Sequence, residues 1–185
     1  MFQPQQLKIN DLNFKDMTSN ITTKIGVVKV THPEKQFLHC VYEFKTNDGF
    51  SIIGQTDDGL IARTKKRLTK ESEMSTIKKH LTKSKEASVR AVYEVEDSFY
   101  KDVCEQFLIY QKLKGYVEEY FKQQNINIKV DLDNISYYRD YPGCKEFVDE
   151  RCGNKKLDRK ESLRYYLAHK DEEGFDDIEK FNVED

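Results

Sequence analysis

Hydrophobic and polar positions fall into short blocks that can be read one element at a time. From Phe37 to Lys45 they alternate, with Leu38, Cys40, Tyr42 and Phe44 on one side and His39, Glu43 and Lys45 on the other. Asn47-Asp48-Gly49 then supplies residues that tolerate positive φ, and Phe50 to Gln55 returns as a second strand, the pattern of a hairpin. The valine-rich stretch Lys24 to Val30 predicts an earlier strand. Ser88 to Glu96, with Val89, Ala91, Tyr93 and Val95 to one side, predicts a later one, and alternating Ile126, Ile128 and Val130 predict another. Residues 1 to about 20 are polar, hold no period, and are expected to form an arm or edge segment.

Helical spacing takes over elsewhere. Thr69 to Lys83 predicts a short surface helix capped by Thr69. Its acids Glu71 and Glu73 come first, its lysines last, and its apolar stripe is only Met74, Ile77 and Leu81. Asp97 or Ser98 caps the longest periodic run, which carries Phe99, Val103, Phe107, Val117 and Phe121 and ends near Asn125. Beyond Pro142-Gly143 two short helices are expected, the second opening with Asp158 and Glu161 at capping-box spacing. This order predicts an α+β fold: a mainly antiparallel sheet of about five strands, one long amphipathic helix, a short basic surface helix and a helical C-terminal extension. Residues 1–20 are read as an arm, 21–141 as the core and 142–185 as the extension with an acidic tail, in one domain overall.

Composition sharpens this. Of 185 residues only 37% are hydrophobic and 35% are charged, yet 11 Tyr and 11 Phe supply the aromatic burial that disordered chains lack. A small aromatic core under a charged surface follows. No run approaches the roughly 18 apolar residues of a membrane span, and the first twenty residues show no secretory leader. Four scattered cysteines suit buried free thiols rather than a disulfide scaffold. A soluble intracellular protein, cytoplasmic or nuclear, is therefore expected.

The net charge of −2 hides an asymmetry: Arg63 to Arg90 carries ten basic residues against three glutamates, and Asp171 to Asp185 eight acids against Lys180. Arg63, Lys65, Lys66 and Arg67, with Lys78, Lys79, Lys83 and Lys85, form two clusters suited to neutralising phosphates, since counterion release drives such binding. Tyr137, Tyr138 and Arg139 are candidates for base stacking or for anchoring a protein partner. Asp171, Glu172, Glu173, Asp176 and Asp177 would serve an adapter or inhibitor that occupies a basic surface.

Carboxylates offer a third reading. Asp57 and Asp58 follow a strand, Glu105 lies on the long helix, and Asp131 and Asp133 end a later strand. With the strand, long helix, strand order, this resembles RNase H-like nucleases, and the resemblance would imply metal-dependent phosphodiester cleavage. Leu163 to Asp177, with Tyr165, Tyr166 and His169, is similar to a stretch of rolling-circle replication initiators. Their His-x-His metal pair would fall here at Phe37-Leu38-His39, and phenylalanine in a ligand position removes that resemblance. His32, His39, Cys40, Cys144 and Cys152 lack metal-ligand spacing, and there is no phosphate-binding glycine loop or Gly-x-Ser-x-Gly elbow. The sequence therefore points to a binding or accessory protein with no cofactor or metal, partnered by nucleic acid or protein and not by membrane.

Overall fold

The computed structural model describes residues 15–172. Five strands, β1 (Asp16–Thr23), β2 (Gly26–Pro33), β3 (Cys40–Thr46), β4 (Ser51–Thr56) and β5 (Glu86–Glu94), form one sheet in the order β1-β2-β5-β3-β4. All neighbours are antiparallel except β2 and β5, so the sheet is mixed: an α+β architecture with one parallel pair. Helices α1 (Leu60–Thr69) and α2 (Glu71–Leu81) connect β4 to β5. Helix α3 (Ser98–Gln123), a 3-10 turn over Ile135–Asp140, α4 (Pro142–Asp149) and α5 (Lys160–His169) follow. No helix among the described residues is long and apolar enough to cross a membrane.

Two apolar clusters form, distinguished by the strand residues they take. Cys40, Tyr42, Phe44, Val89 and Ala91 pack with Leu60, Leu68, Met74, Ile77 and Leu81 of α1 and α2. Val41, Ile53, Val92 and Tyr93 pack with Val103, Cys104, Phe107 and Leu113 of α3 and with Leu163 and Tyr166 of α5. Alternation therefore holds in β3, although both of its faces are covered and Leu38, half exposed, lies outside the strand. In β5 it breaks. The register steps from Tyr42↔Ala91 to Val41↔Tyr93, leaving Val92 as an extra residue. This bulge turns Tyr93 to the α3 side, away from Val89 and Ala91 with which strict alternation had grouped it.

Five further expectations need correction. β1 starts at Asp16, ahead of the expected core boundary at 21, and as the sheet's edge strand it takes up part of the segment read as an arm or edge segment; its pattern is carried by Ser, Thr and Asn and only Ile21 is buried. The basic region holds two helices: α1 buries Leu60, Thr64, Arg67 and Leu68 at helical spacing, a stripe disguised by its polar members. Lys70, not Thr69, caps α2, and Thr69 Oγ1 instead donates to Lys65 O within α1. Ile126 to Val130 forms no strand; it follows α3 as a connector. Arg159 occupies the N-cap of α5, and the Asp158–Glu161 capping box does not form.

The edge of β4 is closed by the chain that follows α4. Ser51 bridges Cys152, and the Asn154 side chain pairs with the Ile53 backbone as a strand would, accepting from Ile53 N at 2.7 Å and donating to Ile53 O at 2.9 Å. An inward, otherwise vulnerable edge is thereby satisfied. It also brings residues 149–155 beside the β3–β4 turn.

Candidate functional site

Six of the eight basic candidates stand in the open. Lys65 and Lys66 on α1, Lys78 and Lys79 on α2, and Lys83 and Lys85 in the loop after it are exposed, and none forms an ion pair among the described residues. The two arginines do not join them. Arg63 is held by Glu73 through a two-pronged contact at 2.5 and 3.2 Å. Arg67 is buried, donates to Tyr42 Oη at 2.9 Å and lies over the Tyr42 ring. Each faces inward because α1 places it on or beside the stripe that packs on the sheet, so both tie α1 to its surroundings instead of offering charge to a partner.

The second lysine group surrounds a groove at the β3–β4 turn. The groove has two adjoining lobes, of about 780 and 590 Å³, which share Lys79 and His80. One lobe carries Lys79, Lys83 and Arg151 against Asp48, Glu119 and Glu150. The other carries Lys78, Lys79 and Lys155 against Asp149 alone. The Asp149 charge is further met by Lys145 at 2.5 Å, so the second lobe is clearly cationic. Lys66 and Lys70 line a separate cleft of about 350 Å³ at the other end of β4, with Asp57, Asp58, Arg63, Glu73 and Arg159. The lysines thus form two patches on one helical hairpin.

His80 anchors the groove. Its ring stacks on Phe50 with centroids 3.8 Å apart and planes 8° from parallel, and Nδ1 lies 2.6 Å from Asp48 Oδ2. Partial burial raises the Asp48 carboxyl, but hydrogen bonds from Thr46 Oγ1, His80 and the Phe50 amide outweigh it and hold its pKa below the usual carboxylate value. The ionised carboxylate can only accept, so Nδ1 carries the proton and Nε2 is left as the free nitrogen. Nε2 is shielded and has no hydrogen-bond partner among the described residues. Sequence reading used Asp48 only as a turn residue and passed over His80. The available signal was position: His80 sits three residues after Ile77, on the stripe that α2 buries. Lys155 and Arg151 reach the groove through the Asn154 edge closure, which no local pattern announces.

Other candidates are bound into the fold. Tyr138 is buried and donates to Lys155 O at 3.1 Å, while Arg139 donates to the same carbonyl; Tyr137 is exposed. Tyr138 therefore cannot stack on a base without unpacking. Asp57 pairs with the buried ammonium of Lys101 and with His39 Nδ1 at 3.0 Å, and these hydrogen bonds hold its carboxyl below the ordinary value. Burial raises Glu105, despite Gln55 and the nearby Arg159 guanidinium. Asp131 accepts from the Asp133 and Asn134 amides, and Asp133 pairs with Arg164 at 2.6 Å. No group of three metal-ligating His, Cys, Asp or Glu side chains forms among the described residues. All four cysteines are free and buried, with burial pushing the Cys40 thiol up to about 12 and Cys144 to about 11, far from thiolate chemistry at neutral pH.

Of the acidic-tail candidates, Asp171 and Glu172 are exposed and Glu172 accepts from His169 Nδ1 at 2.9 Å; Glu173, Asp176 and Asp177 lie outside the described residues. Comparison of the chain with protein-family models, characterised proteins and solved structures finds no match.

Proposed function

We propose that this chain is a non-catalytic binding protein, an accessory subunit that contacts nucleic acid through the lysines of the α1–α2 hairpin. One observation carries the reading: Lys65, Lys66, Lys78, Lys79, Lys83 and Lys85 are exposed and unneutralised among the described residues, on an element otherwise packed firmly on the sheet. Lysines held this way on a rigid support release counterions from a phosphate backbone without first breaking ion pairs. Lys155, added by the C-terminal segment, extends the second patch. The test is fluorescence anisotropy with labelled DNA and RNA at low salt, using wild type, K78E/K79E/K83E and K65E/K66E. Each charge-reversed variant should lose on the order of tenfold or more in affinity while melting like wild type. A wild-type protein that retains neither DNA nor RNA at low salt overturns the proposal.

A further inference from the structure

The lysines alone describe a non-specific surface, but the groove behind them contains a more particular arrangement. His80 is 7% exposed, fixed on one side by the Phe50 ring and on another by Asp48. Its tautomer is set by an acceptor-only carboxylate, so the nitrogen without a partner is Nε2. Four buried side-chain atoms among the described residues lack a hydrogen-bond partner, and two of them, His80 Nε2 and Asp149 Oδ1, belong to residues that line this groove; a buried polar atom left unmet calls for a partner. His80 lines both lobes of the groove. Only one lobe contains Asp48, which Nδ1 already serves; the other holds Lys78, Lys79 and Lys155.

The geometry points to this second lobe as a phosphate-binding site in which His80 Nε2–H donates to a phosphoryl oxygen and the three lysines balance its charge. The inference rests on the proposed phosphate-backbone reading and makes it specific. Protonated His80 is a donor at both nitrogens, with Asp48 compensating the charge at Nδ1, so an imidazolium here can hold Asp48 and a phosphate oxygen at once. Neutral His80 presents a lone pair at Nε2 and repels the same oxygen. Binding therefore strengthens as pH falls through the histidine range. Charged and titratable groups facing the site are Asp48 from the β3–β4 turn, Lys78, Lys79 and Lys83 from α2 and its loop, Tyr116 and Glu119 from α3, and Asp149, Glu150, Arg151 and Lys155 from α4 and the segment after it. His80 is the one histidine among them, and imidazole is the side-chain type that changes charge near neutral pH. The C-terminus of α2 is the negative end of its dipole. That end repels an anion and sets a need for the three lysines before one is held.

A bound phosphate could be the terminal monoester of a nucleic acid end or an internal diester, and the experiment separates them. The first measurement follows the His80 ring resonances of the wild-type protein by NMR while inorganic phosphate is added at about pH 6. A saturable shift of the His80 resonances is expected; absence of any shift overturns the inference whatever happens with oligonucleotides. The second compares 5′-phosphorylated and 5′-hydroxyl oligonucleotides of one sequence at about pH 5.5 and 8, with wild type and H80Q. Wild type should bind roughly three- to tenfold tighter at the lower pH and H80Q should lose that difference, while its folded spectrum is retained. A preference for the phosphorylated end assigns the site to monoesters, and equal binding assigns it to diesters. An H80Q variant that keeps the full pH dependence, or a wild type that has none, overturns the inference. Salt-dependent oligonucleotide binding without a His80 effect would still leave the lysine reading intact, so the two fail separately.

Discussion

Arg67 separates a residue that is basic from a residue that binds, and its replacement gives a quantitative test. Arg67 is 8% exposed, its guanidinium donates to Tyr42 Oη at 2.9 Å, and its Cζ lies 5.9 Å from the centre of the Tyr42 ring. A hydrogen bond from a charged group contributes about 1.5–3 kcal/mol and a shielded cation–π contact about 1–2 kcal/mol. Against these stands desolvation of a cation whose Nε finds no hydrogen-bond partner among the described residues and which shares the nearby Glu73 carboxylate with Arg63. That cost is several kcal/mol, so the charge itself is worth little net. Arg67→Met keeps most of the buried stem and should change stability by about 1 kcal/mol or less. Arg67→Ala leaves a void beside Tyr42 and Leu68 and should cost about 2–4 kcal/mol. Urea denaturation measures both. In the same samples the slope of log affinity for DNA against log salt should stay at the wild-type value, because a buried guanidinium releases no counterions. An Arg67→Met protein of normal stability whose salt slope falls by about one unit would refute this, since it would place Arg67 on a phosphate.

Three other substitutions probe the frame that positions the lysines. Asn154→Ala removes both side-chain hydrogen bonds to the Ile53 backbone and should cost about 2–3 kcal/mol in urea denaturation; a loss under about 0.5 kcal/mol would mean the β4 edge is closed by other means. Gly54→Ala puts a Cβ 2.5 Å from Tyr42 Oη and 2.7 Å from Cζ, where the ring crosses its cross-strand neighbour on the way to Arg67. The displaced ring should lower the melting temperature by several degrees, and an unchanged melt would show that Tyr42 moves freely. Glu105→Gln should stabilise the protein at neutral pH. Burial raises the folded pKa of Glu105 above its unfolded value, so its ionised form is penalised above the folded pKa. The penalty fades as pH falls below the unfolded value, so the variant's advantage should vanish in acid; an advantage that grows in acid would contradict the sign.

The elements legible in the sequence are those where local pattern and burial agree. The β3–β4 hairpin was readable because Gly49, with φ of 90°, sits where the turn demands it, and the apolar positions of both strands are buried. Asp97 announced the start of α3 and accepts from the Tyr100 amide at 2.9 Å. What local pattern could not carry was long-range: a bulge at Val92, an α1 stripe built from Thr64 and Arg67, and a β4 edge closed by Asn154 from 101 residues away. The candidate site divides the same way. Exposed lysines are visible as composition. The groove itself needs Asp48, Phe50, His80 and Lys155 brought together from three parts of the chain, and no spacing encodes that meeting.

The salt dependence of DNA binding by the wild-type protein tests the central claim most directly. If the open lysines of the α1–α2 hairpin meet phosphates, log affinity falls linearly with log salt, and the slope shrinks by about 0.9 for each contacting lysine removed among Lys65, Lys66, Lys78, Lys79, Lys83 and Lys85. A slope that is flat, or that stays unchanged when all six are replaced by glutamine, contradicts the account.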